Sequence, residues 1–121
     1  MAEVHALRPQ TQSGPVHEVL EKGVLRLTLD SPPANALSIA LMERLRELLD
    51  KARDDKAVRV IVISAVGRIF SGGHDLKEIT LHRANADRGR AFFEQTMRLC
   101  ADLMQAIVNH PKPVIAEVAG L

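Results

Sequence analysis

Tryptophan and tyrosine are missing from this chain, phenylalanine occurs three times and cysteine once. Without aromatic platforms there is little for unpaired bases to stack on. The lone Cys100 excludes an internal disulfide, and no Cys/His spacing matches a zinc site. The expectation is a reducing, cytoplasmic setting with no metal. An excess of one charge is lacking too. Sixteen basic and fifteen acidic residues leave a formal charge of +1, so the chain offers no strong positive field to a nucleic-acid backbone, and nucleic acid is not an expected partner. Residues 1–15 contain no apolar run and read as neither a signal peptide nor a membrane anchor.

What is present is an ordinary globular composition, 46% hydrophobic and 26% charged in 121 residues, enough for one core and one domain. The expected division is a loose tail over 1–15 and a folded domain over 16–121. Residues 16–30, V-H-E-V-L-E-K-G-V-L-R-L-T-L-D, alternate apolar and polar on both sides of Lys22-Gly23, which predicts two half-buried strands joined by a tight turn. Pro32 and Pro33 then stop strand pairing. From 38 to 53, Leu41, Leu45, Leu48, Leu49 and Ala52 recur every three or four residues, predicting a helix capped by Ser38. Its polar face offers Arg46/Asp50 and Glu47/Lys51 pairs four apart.

Residues 58–65, V-R-V-I-V-I-S-A, form a β-branched, nearly continuous apolar run, which predicts a strand of a sheet covered on both faces. A second long helix is expected over 87–109, with Phe93, Met97, Cys100, Met104 and Ile107 as its core-facing stripe, and a last strand over 114–118. The spacing fits an α/β fold.

The chemistry is expected in the loop 67–79, G-R-I-F-S-G-G-H-D-L-K-E-I, between a strand and a helix. In α/β sheets ligands bind beyond the carboxyl ends of strands. Gly72 and Gly73 allow positive φ and close approach, and His74 and Asp75 open the helix, where backbone N–H groups lack intrahelical partners. Such a loop can offer an N–H to an oxygen that becomes negatively charged during reaction. Taken by itself, the loop reads first as a plain glycine-rich strand-to-helix connection. It carries neither a P-loop pattern nor G-x-G-x-x-G.

In order along the chain, the hairpin, P-P-A-N-A-L at 32–37, V-R-V-I-V-I-S-A-V-G-R-I-F-S-G-G-H-D-L-K-E-I and H-P-K-P-V-I-A-E-V-A-G resemble the enoyl-CoA hydratase/isomerase (crotonase) family, over 16–121. The stretches F-S-G-G-H-D-L-K-E-I and N-H-P-K-P-V-I-A look most like its enoyl-CoA hydratase domain-containing branch. The resemblance implies a crotonase-like fold of repeated ββα units, truncated to its first half, which binds acyl-CoA and assembles as trimers or hexamers. Coenzyme A is then part of the substrate, and no separate cofactor is implied.

The same resemblance makes the His74 N–H half of an oxyanion hole, sets Gly72 near the adenine, and assigns the acyl-CoA segment to Gly72, Gly73, His74, Asp75, Leu76 and Lys77, with Asn35 and Ala36 in a first contact loop. Competing roles stand beside these: a helix cap for Asp75, a solvated position for Lys77, a turn for Asn35, space-filling for the His74 ring. The family's second oxyanion donor and its acidic catalytic residues match nothing here, and Glu117 does not correspond to them. Two functions follow as expectations. One is an enzyme whose full-length form hydrates 2-enoyl-CoA, with isomerase, decarboxylase or thioester hydrolase chemistry as variants. The other is a truncated or non-catalytic module for assembly or CoA binding.

Overall fold

The computed structural model describes residues 14–121; the tail expected over 1–15 falls almost wholly outside the described residues. Pro15 already belongs to the domain, because its carbonyl accepts the Asp30 N–H at 2.7 Å. Strand β1, Val16–Glu21, pairs antiparallel with β2, Val24–Leu29. Lys22 and Gly23 both take positive φ, 51° and 86°, the geometry whose twist matches a two-residue hairpin.

Helix α1, Ile39–Arg53, then crosses over to β3, Val60–Ala65, which lies parallel to β2. After β3 come a short helix α2, Leu76–Leu81, a 3-10 turn, His82–Ala84, the long helix α3, Arg90–Val108, and β4, Val114–Ala116, parallel to β3. The sheet order is β1-β2-β3-β4, a crossover pattern that needs helices between parallel neighbours.

Alternation decides which face of the sheet is covered. Leu25, Leu27 and Leu29 of β2 stand beside Ile61 and Ile63 of β3, all buried, and α1 closes over them with Leu41, Met42, Leu45, Leu48, Leu49 and Ala52. Each such leucine removed from water contributes about 1.5–3 kcal/mol. Ser38 caps α1 through its Oγ, which accepts the Leu41 N–H at 3.1 Å. At the other end Lys112 donates from Nζ to the carbonyls of Ala52 and Asp55, both at 2.6 Å, while His110 Nε2 lies 2.8 Å from the Leu49 carbonyl. The H-P-K-P stretch thus clamps the carboxyl end of α1, where unpaired carbonyls favour a cation.

Four expectations change. β3 is not covered on both faces: Val60 and Val62 are half-buried, because among the described residues no helix covers the side of the sheet that carries Arg26, Thr28 and Val62. The stripe expected on the last helix is rotated. Leu103 and Ala106 are buried with Thr96, whereas Phe93 and Met104 are 48% and 40% exposed; Cys100 and Ile107 do pack on the core. The helix meets α1 along one line, and an apolar stripe wider than that line leaves its margin in solvent. The Arg46–Asp50 pair forms, but Lys51 reaches Glu18 of β1 and Glu47 takes Arg44, a choice set by which partner the tertiary structure brings within 3.1 Å and 2.8 Å. The final strand stops at Ala116, with the Glu117 N–H still bonded to Ile63 and its carboxylate paired with Arg26.

Candidate active site

Two loops meet beyond the carboxyl ends of β2 and β3, and Asn35 holds them together. Its backbone has φ +48°, and its side chain is buried at 1% exposure. Oδ1 accepts the Ser31 N–H at 2.7 Å, and Nδ2 donates to the carbonyls of Val66 and Ile69 at 3.1 and 2.8 Å. The Asn35 carbonyl in turn accepts the Ser71 hydroxyl at 2.9 Å, and that hydroxyl receives the Gly73 N–H. Every hydrogen-bonding group of the amide is used inside the protein, so Asn35 shapes the site from below and has no side-chain group left for a ligand.

The glycines are fixed by the same seam. The Gly72 N–H donates to the Ala34 carbonyl at 2.8 Å, and a Cβ at 72 would sit 3.2 Å from that of Ala34. Gly73 takes φ +88°, and its carbonyl accepts the Leu37 N–H at 2.7 Å. Next in line, the His74 N–H has no acceptor among the described residues, although it sits in a bridge with Leu37. A backbone N–H with no protein partner near a helix start is available to water or to a ligand. The His74 imidazole is half-buried with Nδ1 enclosed and unpartnered.

The acidic residues that follow are structural. Asp75 caps α2, its Oδ1 accepting the Glu78 N–H at 3.1 Å. Glu78 reaches back to α1, where Oε1 accepts the Ile39 N–H at 3.0 Å. One short motif therefore caps two helices. Lys77 has no acidic partner among the described residues. An open groove of about 320 Å³ lies here, with Ser31 to Ala34 and Ala36 on one wall and Asp75, Leu76 and Lys77 on the other. The site thus combines an N–H without a partner, glycines that clear the approach, and an adjacent groove whose charged lining is Lys77 and Asp75.

The model for enoyl-CoA hydratase/isomerase matches residues 20–121. The chain belongs to the enoyl-CoA hydratase/isomerase family. It is 41% identical over 102 residues to enoyl-CoA hydratase domain-containing protein 3, mitochondrial, of Xenopus laevis, covering 84% of this chain and 33% of that protein. It is 40% identical over 101 residues to a probable enoyl-CoA hydratase of Bacillus subtilis, covering 84% and 37%. Among solved structures, an enoyl-CoA hydratase/isomerase family protein of Silicibacter pomeroyi superposes with a TM-score of 0.75 at 44% identity, covering 84% of this chain and 41% of that one. Human enoyl coenzyme A hydratase domain-containing protein 3 superposes at 0.77 with 34% identity, covering 88% and 40%. The fold is that of the crotonase family. The chain spans about a third of the length of the curated relatives it matches.

Of the residues expected at the site, Ala36, Asp75, Leu76 and Lys77 line this groove, and Gly72, Gly73 and His74 form the loop segment just before it in the chain. Asn35 lies beneath. Sequence reasoning missed Glu78 and Ser71. Glu78 sits three residues after an N-cap, the spacing of a capping box, but its bond goes to another helix, which no local pattern announces. No helix among the described residues is long and apolar enough to cross a membrane.

Proposed function

We propose that this chain supplies one side of an acyl-CoA thioester site, with the His74 N–H donating to the thioester oxygen and stabilising the enolate that forms there. The observation that carries the reading is the unpaired His74 N–H, flanked by Gly72 and Gly73 N–H groups that are already bonded. Thioester enolisation moves charge onto the carbonyl oxygen, and a fixed N–H costs no reorganisation as that charge develops. Gly72, Gly73, Ala36, Asp75 and Leu76 shape the channel, and Lys77 meets a phosphate of CoA as a point charge.

In the full-length protein the reaction is hydration of a 2-enoyl-CoA or a related enolate reaction, completed by a second donor and by acid and base groups from outside this chain. The chain by itself binds without useful turnover. The partners we propose are an acyl-CoA and further copies of the protein, in a reducing compartment; the relatives named mitochondrial make the mitochondrion the alternative to the cytoplasm. An unreactive ketone analogue of the acyl-CoA, in which a CH2 replaces the thioester sulfur and the carbonyl is kept, is expected to move the His74 amide resonance strongly downfield. Binding that leaves that resonance in place, or no binding at all, overturns the reading.

A second reading, a non-catalytic assembly module, draws on the sheet edge. Among the described residues β4 pairs on one side alone, and Ile115, Val118 and Leu121 are 52%, 57% and 87% exposed beside it. Unpaired edges recruit other chains. Sedimentation of the chain as a stable monomer would rule against it.

A further inference from the structure

Beyond the carboxyl end of α2 lies a second cavity, about 430 Å³, lined by Thr80, Arg83, Asp87, Arg88, Arg90 and Phe93 among others. Its charge is unbalanced. Arg83 and Arg88 form no ion pair among the described residues, and Arg90 meets Glu94 through Nε alone at 3.1 Å. The single acid in the lining, Asp87, is turned to its own backbone. Its carboxylate accepts the Gly89 and Ala91 N–H groups, both at 2.9 Å, and so closes the first turn of α3 rather than the arginines.

The backbone is bent to keep Arg88 there. Arg88 takes φ +60° and Gly89 φ +86°, and a Cβ at 89 would lie 2.9 Å from the His82 carbonyl oxygen. A non-glycine residue in the left-handed region is uncommon and is held by its surroundings. Phe93, 48% exposed, supplies an apolar wall. Guanidinium groups bind planar oxyanions through paired N–H donors, so the chemistry of this cavity is that of a carboxylate or phosphate attached to an apolar chain.

Position relative to the thioester groove narrows the choice. Leu76 lines the first groove, Thr80 and Arg83 the second; spacings of four and three put them along one side of the same helical segment. At about 1.5 Å per residue the distance from Leu76 to Arg83 is about 10 Å. That is the scale of a medium-length acyl chain. We propose that the arginine cavity binds the far carboxylate of the acyl group, so that the thioesters this chain takes are those of dicarboxylic acids. The proposal rests on the reading of His74 as the thioester contact.

The test compares unreactive ketone analogues of suberyl-CoA and octanoyl-CoA, in which a CH2 replaces the thioester sulfur and the carbonyl is kept, equal in chain length and in CoA, on the 121-residue chain. The suberyl analogue is expected to bind roughly tenfold tighter at low salt, a preference that shrinks as screening rises. In the double variant Arg83→Gln/Arg88→Asn the ratio falls to about one; asparagine is chosen because it tolerates the backbone of residue 88. If the variant weakens both analogues equally, the arginines meet the phosphates of CoA and the carboxylate assignment is overturned. It is overturned too if the two analogues bind alike to the unaltered chain. A separate arm uses free octanoate against octanamide, reading the Nε–H resonances of Arg83 and Arg88. Octanoate alone should shift them; silence there overturns the anion site regardless of His74. Shifted arginines with an unmoved His74 amide in the ketone-analogue titrations would instead overturn the thioester reading and leave the anion site.

Discussion

Replacing Asn35 by aspartate exchanges one NH2 group for an oxygen and reverses two interactions. In the native protein Nδ2 donates to the carbonyls of Val66 and Ile69 at 3.1 and 2.8 Å, at a side chain that is 1% exposed. A carboxylate there would face two carbonyl oxygens with no proton to give. Two lost bonds, each leaving a buried acceptor unpaired, cost about 1–3 kcal/mol apiece, and desolvating the charge adds to this. A total of about 4–6 kcal/mol is expected, close to the whole stability of many small domains. Aspartate accepts the same positive φ as asparagine, so backbone strain does not contribute.

The sign of the pH dependence follows. The folded state disfavours the charged form, so the carboxyl of residue 35 has a folded pKa raised above its unfolded value of about 3.9. The variant is least destabilised below that unfolded value, where the acid is protonated and can donate to one carbonyl. It loses stability as pH rises through the window up to the folded pKa. Urea titrations of both proteins between acid and neutral pH measure this directly. A variant within about 1 kcal/mol of the native chain at neutral pH, or one whose deficit does not change with pH, would refute the account of the clasp.

Other perturbations test other parts. Leu103→Ala is expected to cost about 3 kcal/mol because Leu103 is fully buried, while Met104→Ala should stay within about 0.5 kcal/mol; equal effects in chemical denaturation would mean that the face of α3 is misassigned. Gly89→Ala places a Cβ against the His82 carbonyl at positive φ and should cost about 2 kcal/mol, read as a lower melting temperature. Asp87 sits below its ordinary carboxylate value of 3.8, chiefly because the Ala91 and Gly89 N–H groups bond to it. Its stabilisation of α3 is present above the unfolded pKa and is lost as pH falls through the lower folded one. Protection of the Ala91 amide, measured as exchange relative to the intrinsic rate at each pH, should therefore fall in acid, and Asp87→Asn should remove that pH dependence.

Much of the fold was legible because its signals are local. The hairpin at Lys22-Gly23, the Ser38 cap, the apolar face of α1 and the Asp75 cap each depend on residues within four positions of one another, where backbone geometry leaves few alternatives. The backbone of the 72–75 loop was legible too, with positive φ at Gly73 just before a helix start, because glycine pairs before a helix start have a limited set of uses. Partner choice was not. Lys51 finds Glu18, Glu78 finds the start of α1, and Lys112 finds the end of it, all across distances in sequence that no periodicity spans. The rotation of α3 belongs with these: several apolar lines run along that helix, and which one is buried depends on where α1 lies.

The amino-acid order by itself determined the succession of strands and helices, the family and the position of the candidate oxyanion donor. Only the tertiary structure decided that Asn35 serves as a clasp, that the acids of D-L-K-E are caps, and that three arginines around a bent turn share a cavity along the helix from His74. The physical reason is range. Backbone preference and amphipathic spacing act over a few residues, whereas buried hydrogen bonds and charge balance depend on whatever the packed core brings together.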